Sequence, residues 1–213
     1  DGAMKELAGQ VVLYNRESRS FDKAEVYQEL DQKNFDDFDR LWKPILAKRA
    51  AEVRTAAEAA SANVQDAHWD WVGKAKIAAM MMAQETFAVE CGETQGLMLV
   101  NLNAFGQLDV QKGRELIYVE LLATAPWNRT KPKLVDSPRY KGVGRILIAT
   151  AISLSIESGF HGRLGLHSLP QSESWYRDEA GFTDLGLDAP KRMHYFEVTV
   201  DQAKAFLEDK QEH

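Results

Sequence analysis

The sequence has one cysteine, Cys91, and it has no uncharged apolar stretch long enough to cross a membrane. A single cysteine cannot form a disulfide within the chain, which favours a reducing compartment, and we therefore expect a cytoplasmic protein. The lack of a long apolar run and of a signal-peptide pattern predicts a soluble protein without a membrane partner. We interpret Cys91, which lies among apolar and acidic residues, as a packing residue.

Metal-binding patterns are also lacking. The five histidines show no ligand spacing such as His-x3-His, and no cluster of cysteines or carboxylates completes a set, so we expect no metal. The 26 basic and 32 acidic residues give a formal net charge of -6, which disfavours a broadly basic nucleic-acid surface. An acidic protein more readily attracts a cationic substrate such as an amine.

One stretch of the chain has the residues of an anion site: Arg139-Tyr140-Lys141-Gly142-Val143-Gly144-Arg145, followed directly by an apolar run at residues 146–152. Two glycines at positions i and i+2 allow a tight turn that exposes successive N–H groups, and the apolar run predicts a buried helix. Unpaired N–H groups at a helix start, with the positive end of the helix dipole and three cations nearby, favour a phosphate.

The common phosphate motifs do not fit this stretch. The dinucleotide fingerprint needs a third glycine or alanine where Leu147 stands, and the mononucleotide P-loop needs Gly-Lys-Ser/Thr where Arg145 and Ile146 follow Gly144. The alternative, a glycine-containing turn before an ordinary core helix, stays open.

Residues 1–4 are interpreted as a remnant of an expression tag, and the spacing of apolar residues predicts the elements that follow. A short strand at residues 10–14 comes first, and helical spacing then extends over residues 21–83, including an alanine-rich helix at 45–62. The later elements are expected as three strands at 87–91, 96–102 and 115–124, a helix from the glycine stretch to 158, a strand at 163–169, a helix at 171–180, a strand pair at 183–186 and 194–200, and a closing helix from 201 to about 209.

This succession resembles the GNAT acetyltransferase superfamily. The family loop, Arg/Gln-x-x-Gly-x-Gly/Ala, is matched by Arg139, Gly142 and Gly144; the strand before it ends in Ala-x-Ala-Pro at residues 123–126, and Trp175-Tyr176 and Gly181-Phe182 resemble the family's terminal helix. The resemblance covers residues 85–200. It implies an α+β fold of the α/β/α kind, with a mixed, mainly antiparallel central sheet and helices on both faces. The amino-terminal helical region is enlarged relative to the family's usual pair of helices, and there the likeness is only topological.

The domain organisation that follows is one domain over residues 5–213. It has a helical region at 21–83, a core with the cofactor site at 85–200, and a terminal helix and tail at 201–213. In the family, the loop amides hold the pyrophosphate of coenzyme A, and the extended pantetheine arm pairs with the preceding strand. The resemblance therefore implies acetyl-CoA as cofactor, bound by Leu122, Ala123, Thr124, Arg139, Tyr140, Lys141, Gly142, Val143, Gly144 and Arg145.

Two residues are candidates for proton transfer. Glu120 is an acid inside an apolar strand and shares a face with Tyr118 and Leu122, so it is a candidate base; a carboxylate on a solvated strand face is the alternative. The resemblance implies that Tyr176 is the acid near the thiol. However, Tyr176 lies five residues before Gly181 where the family tyrosine lies four before, so either the tyrosine is structural or one extra residue is absorbed in the turn.

Two further features have open interpretations. His167, at a strand end, is either an alternative proton carrier or a hydrogen-bonded structural histidine. The loop at residues 127–137 is either an acceptor contact or a variable surface loop.

The function implied is acetyl transfer from acetyl-CoA to a primary amine, by direct attack in a ternary complex. The acceptor is a small molecule or a protein, and a homodimer is a possible assembly. The alternatives are a non-catalytic acyl-CoA-binding or protein-interaction module, suggested by the spacing of Tyr176, and a toxin that acetylates aminoacyl-tRNA, which the acidic balance disfavours.

Overall fold

The computed structural model describes residues 5–209. The interpreted tag remnant at residues 1–4 and the predicted tail at 210–213 lie outside them. The chain divides into two compact units, one with residues 5–99 and 121–147 and the other with residues 100–120 and 148–209. The prediction of one domain stays a prediction.

Nine strands are present among the described residues, in a mostly antiparallel sheet that confirms the expected α+β class. They are β1 (Glu6–Asn15), β2 (Ser20–Gln28), β3 (Gln84–Cys91), β4 (Glu93–Phe105), β5 (Glu115–Thr124), β6 (Tyr140–Lys141), β7 (Leu164–Ser168), β8 (Thr183–Asp188) and β9 (Met193–Val198). The hydrogen-bonded order is β6-β1-β2-β3-β4-β5-β7-β9-β8.

The α-helices over the same residues are α1 (Gln32–Asp37), α2 (Lys43–Ala51), α3 (Ala56–Ser61), α4 (Trp71–Met80), α5 (Val143–Glu157) and α6 (Val200–Glu208). Two π-helical segments, Phe38–Trp42 and Trp175–Glu179, interrupt the α-helical pattern. The helix expected after the glycine stretch is α5. None of these helices in residues 5–209 is both long and apolar enough to cross a membrane.

The beginning of the predicted helical region at 21–83 is wrong, because Ser20–Gln28 is a strand that pairs antiparallel with β1. Ala24 and Val26 are 1% and 2% exposed, so burial alternates with the period of a strand rather than of a helix. The Asn15 side chain initiates the turn by accepting hydrogen bonds from the amides of Glu17 and Ser18 at 3.0 and 3.2 Å.

The alanine-rich helix expected at 45–62 is also wrong as one element, because it divides into α2 and α3. Thr55 separates them, since its side chain accepts the Glu58 amide at 3.1 Å and caps α3. Helix propensity favours a single helix over the whole segment, but the Thr55 cap begins a second helix within it.

The first unit has a core in which helical side chains pack on strand side chains. Trp42 and Trp71 are its largest fully buried members, and the ring of Trp42 lies edge-on to that of Trp127 at 6.3 Å. The other buried members are Phe38, Leu46, Ala62, Val64, Ala78, Ala88, Leu97, Leu99, Ala123 and Ala125. The amino-terminal helices therefore cover this unit's strands.

The second unit is built on β7, which runs parallel to β5 and antiparallel to β9. Its aromatic side chains pack together, with Phe182 and Phe206 rings 5.4 Å apart. The buried Glu197 carboxylate on β9 accepts the Gln107 amide at 2.6 Å and the Gln111 side-chain amide at 2.8 Å. These bonds fix the segment that connects β4 with β5.

Candidate active site

The glycine stretch forms the short strand β6, a turn at Gly142 and the start of α5. The Ile146 amide donates to the Gly142 carbonyl at 3.0 Å, which is the first bond of the helical ladder. The earlier amides of Val143 and Gly144 have no acceptor in a preceding helical turn, and they lie at the positive end of the helix dipole. This geometry suits an anion.

The two glycines leave room for a ligand in different ways. Gly142 has φ +101°, a conformation that favours glycine, and a Cβ atom placed there would meet nothing within 4 Å. A Cβ atom on Gly144 would lie 3.8 Å from Thr124 Cγ2, in ordinary contact. The helix start therefore faces open space beside the end of β5.

Two backbone amides of the glycine stretch donate hydrogen bonds within the protein and so hold the stretch in its conformation. The Tyr140 amide donates to Asn128 Oδ1 at 2.9 Å, and the Arg139 amide donates to the Trp127 carbonyl at 3.0 Å. The Arg139 carbonyl accepts the Arg16 amide at 2.8 Å. The sequence predicted that the whole backbone from Arg139 to Arg145 would contact the cofactor. The amides of Arg139 and Tyr140 already have acceptors within the protein, so the amides of Val143 and Gly144 are the best candidates to bind an anion.

The cations of the stretch have different surroundings. The guanidinium of Arg139 pairs with Glu93 at 3.1 Å and lies 5.4 Å from the centre of the Trp127 ring. Lys141 is exposed, and Arg145, in the first turn of α5, is half-buried. Arg139 thus anchors the loop, and of the other two cations of the stretch Lys141 is the more exposed.

The Tyr140 side chain ties the stretch to neighbouring strands. Its hydroxyl accepts from Cys91 Sγ at 3.5 Å and donates to Asp22 Oδ2 at 3.2 Å. The hydrogen bond with Cys91, together with burial and the Asp22 carboxylate, raises the pKa of Tyr140 well above its ordinary value. Tyr140 is therefore a neutral structural contact for Cys91.

The end of β5 has a backbone edge beyond its pairing with β7. That pairing covers Ile117 to Val119, whereas the strand continues to Thr124. The Ala125 amide donates to the Gln95 carbonyl at 2.8 Å, and residues alternate in the edge to which their amides point, so Leu122 and Thr124 direct their polar groups to the opposite edge. An extended amide chain could pair there.

Arg129 occupies part of this edge, and sequence reasoning missed it. Its Nε and Nη2 donate to the Thr124 carbonyl at 3.1 and 2.9 Å, and Nη1 donates to the Asn63 carbonyl at 2.7 Å. The guanidinium also forms a two-pronged pair with Asp66 at 2.7 and 2.6 Å, and the two side chains are only 5% and 4% exposed. The first residues of the 127–137 loop are thus part of the interior.

Glu120, in the second unit, is half-buried, and its Oε1 accepts a hydrogen bond from Asn101 Nδ2 at 3.2 Å. Its charge contributes, after burial, to raising the pKa of Tyr118 to about 12. Glu120 and Tyr118 therefore influence each other, as the strand alternation led us to expect.

Tyr176 lies in a π-helix rather than in an α-helix. The Ala180 amide donates to the Trp175 carbonyl at 2.8 Å, five residues back, and Gly181 follows with φ +73°. A π-turn holds one residue more than an α-turn, so this geometry is compatible with an extra residue absorbed before Gly181, and the acid role of Tyr176 stays a prediction. The Tyr176 ring packs on Trp175, Phe182 and Phe196, and its burial raises the pKa well above the ordinary value for tyrosine.

A hydrogen-bonded array in the second unit joins residues from three elements. The Tyr118 hydroxyl lies 2.6 Å from His167 Nδ1, and His167 Nε2 lies 2.8 Å from Asp188 Oδ2. The sequence analysis noted His167 and the strand face that carries Tyr118 separately. Nothing in the spacing of the residues predicts that the two side chains are in contact or that Asp188 binds His167. No group of three or more metal-ligating side chains occurs among residues 5–209.

Comparison with known proteins identifies the fold. No protein-family model and no curated protein match the sequence. A PaiA N-acetyltransferase from Thermoplasma acidophilum, solved with coenzyme A, matches with a TM-score of 0.50 and 11% identity over 82% of this chain and 97% of its own. FeeM, an N-acyl amino acid synthase from uncultured soil microbes, matches with a TM-score of 0.49 and 12% identity over 85% of this chain and 93% of its own. RimJ of Mycobacterium smegmatis, in complex with CoA-disulfide, matches with a TM-score of 0.46 and 14% identity over 93% of this chain and 92% of its own. As the glycine stretch and the succession of helices and strands led us to expect, this chain has the fold of the GNAT acetyltransferases.

Proposed function

We propose that this protein is an acyltransferase that moves an acetyl group from acetyl-CoA to a primary amine by direct attack. The observation that carries the proposal is the start of α5, where the amides of Val143 and Gly144 face open space beside the edge of β5. A diphosphate and an extended chain of amides need this combination: N–H donors at a helix start and a strand edge next to them.

The residues that would hold acetyl-CoA belong to the first unit. The amides of Gly142, Val143 and Gly144 would bind the pyrophosphate, with the charges of Lys141 and Arg145 close to it. The backbone of Leu122 to Thr124 would pair with the pantetheine arm, except at the Thr124 carbonyl, which Arg129 already occupies. When bound, the group supplies a thioester whose carbonyl carbon accepts the amine.

Glu120 and Tyr176 are the proposed base and acid. A carboxylate that accepts a hydrogen bond from Asn101 keeps its orientation, and Glu120 would take a proton from the attacking nitrogen directly or through water. Tyr176 stays protonated at neutral pH because burial raises its pKa, and it would donate a proton as the thiol departs. The acidic composition, with net charge -6, favours a cationic acceptor.

A pair of substitutions at Gly144 tests the cofactor site. Acetyl-CoA at 100 times its dissociation constant should raise the melting temperature of the parent by roughly 5–10 °C. Gly144→Trp should abolish this shift, because the side chain extends into the space in front of Thr124. Differential scanning fluorimetry with and without acetyl-CoA measures both.

The matched control is Gly144→Ala. Its methyl group would lie 3.8 Å from Thr124 Cγ2, without a clash, and should stabilise the ligand-free protein by up to about 1 kcal/mol because alanine favours a helix. If the parent shows no shift at millimolar acetyl-CoA, the cofactor assignment is wrong. If it binds acetyl-CoA but acetylates no member of a broad amine panel, the chain is a binding module instead.

A further inference from the structure

The array of Tyr118, His167 and Asp188 has a defined direction of hydrogen bonding. Asp188 is a carboxylate and can only accept, so His167 Nε2 carries the proton that faces it at 2.8 Å. In the neutral ring, Nδ1 is then an acceptor, and the Tyr118 hydroxyl donates to it at 2.6 Å. The order hydroxyl, imidazole, carboxylate is the one that activates a hydroxyl in hydrolytic enzymes.

The surroundings keep the array in this neutral form. Burial lowers the pKa of His167 below 6.5, an effect that outweighs the Asp188 carboxylate and that Lys191 reinforces. Burial, with Glu120 and Asp188, raises the pKa of Tyr118 to about 12. Tyr118 is thus a hydroxyl and His167 an unprotonated base at neutral pH.

Other charged and titratable groups face the array. Lys191 Nζ lies 3.5 Å from the Tyr118 oxygen and 5.4 Å from the centre of its ring, so its charge stabilises negative charge that develops on that oxygen. The Tyr195 ring packs on His167 with centroids 4.9 Å apart. Asp188 is 35% exposed, so one end of the array reaches solvent.

The proposed amine acceptor needs a second base. An ammonium nitrogen carries three protons and an amide nitrogen formed from it carries one, so two protons must leave. Glu120 accounts for one of them, during attack. The same strand presents Tyr118 on the same face, two residues away.

We propose that Tyr118 is a further catalytic residue, which removes the first proton from the acceptor ammonium with His167 as its base and Asp188 as the residue that positions His167. This inference rests on the proposed acetyl transfer to amines. As the N–H bond of the ammonium breaks, its proton bonds to the Tyr118 oxygen, and the proton of Tyr118 moves to His167 Nδ1. The imidazolium, stabilised by Asp188, later returns its proton through Tyr118 to water.

The test compares Tyr118→Phe with the parent across pH 6 to 9. The panel contains an alkylamine, a polyamine, an amino-acid amide and an aminoglycoside, with saturating acetyl-CoA and release of coenzyme A as the readout. With the best acceptor, Tyr118→Phe should lower kcat at pH 7 by about 100-fold. The deficit should shrink by about tenfold per pH unit above 7, because the variant depends on amine that is already neutral.

The parent should lose activity as the pH falls through the lowered pKa of His167, because the protonated ring can no longer accept at Nδ1. His167→Gln should follow the profile of Tyr118→Phe, whereas His194→Gln should behave as the parent, since His194 pairs with Asp184 instead. A deficit of the same factor at every pH would show that Tyr118 is merely structural and would overturn the proposal.

A second readout does not need turnover. In the ligand-free protein, 15N shifts should show His167 protonated at Nε2, and Asp188→Asn should weaken that preference. A parent with the proton at Nδ1 would contradict the assigned direction of the array. If no amine supports release of coenzyme A by the parent, the proposed function fails; if the parent is active and Tyr118→Phe equals it, only the relay fails.

Discussion

Replacing Asp66 with asparagine should lower the free energy of unfolding by about 3–5 kcal/mol, because it leaves the Arg129 guanidinium buried without its counter-ion. The side chains fill the same volume, so the loss comes from charge and not from packing. Urea denaturation of the parent and of Asp66→Asn, with the midpoint and slope compared, measures the change.

The expected loss of stability is large because the buried Arg129 guanidinium donates hydrogen bonds to several acceptors. The guanidinium donates to both oxygens of Asp66 and to the carbonyls of Asn63 and Thr124, and it is 5% exposed. Water cannot replace the lost charge at such a position. The arginine also holds the end of β5, so the acetyl-CoA-dependent shift in melting temperature should fall as well.

An exposed ion pair supplies the control. Arg49 and Glu52 lie 3.0 Å apart with 37% and 52% exposed side chains, and Glu52→Gln should change stability by less than about 1 kcal/mol. The double variant Asp66→Asn with Arg129→Met should be less destabilised than the sum of the two single changes. A strictly additive result would mean that the pair contributes nothing as a pair.

Glu120→Gln should lower kcat for amine acetylation by about 10²- to 10⁴-fold, since the amide cannot accept a proton from the attacking nitrogen. Glutamine keeps a carbonyl oxygen that can accept the bond from Asn101 Nδ2, so the orientation of the side chain survives. Steady-state kinetics on the active member of the amine panel measures kcat, and fluorimetry with acetyl-CoA should give the same shift as for the parent.

The control for Glu120 lies at the start of the same strand. Glu115 is exposed, and Glu115→Gln should leave kcat unchanged. Unaltered turnover in Glu120→Gln across pH would exclude it as the base. A loss of turnover that is accompanied by loss of the acetyl-CoA shift would point to a disturbed strand instead of missing base chemistry.

Local patterns in the sequence predicted the glycine turn, α5 and the strands from β3 to β5, because each depends on residues close together in the chain. These patterns did not predict the β1–β2 hairpin, because Ala24 and Tyr27 are spaced as on a helix and the turn contains no glycine. The Arg129–Asp66 and Tyr118–His167 contacts join residues 63 and 49 positions apart. Such pairs are set by the packing of whole elements, and one sequence carries no sign of them.

The π-turn at Trp175–Glu179 has a consequence for comparing this chain with others. A residue gained inside a helix normally rotates everything after it, whereas a π-turn can take up one added residue without that rotation. If Tyr176 is the counterpart of the tyrosine that the resemblance implies, an alignment based on letters alone would set Arg177 opposite that tyrosine and score Tyr176 as a mismatch. Superposition of backbones, with the insertion assigned inside the helix, is the alignment that compares equivalent positions.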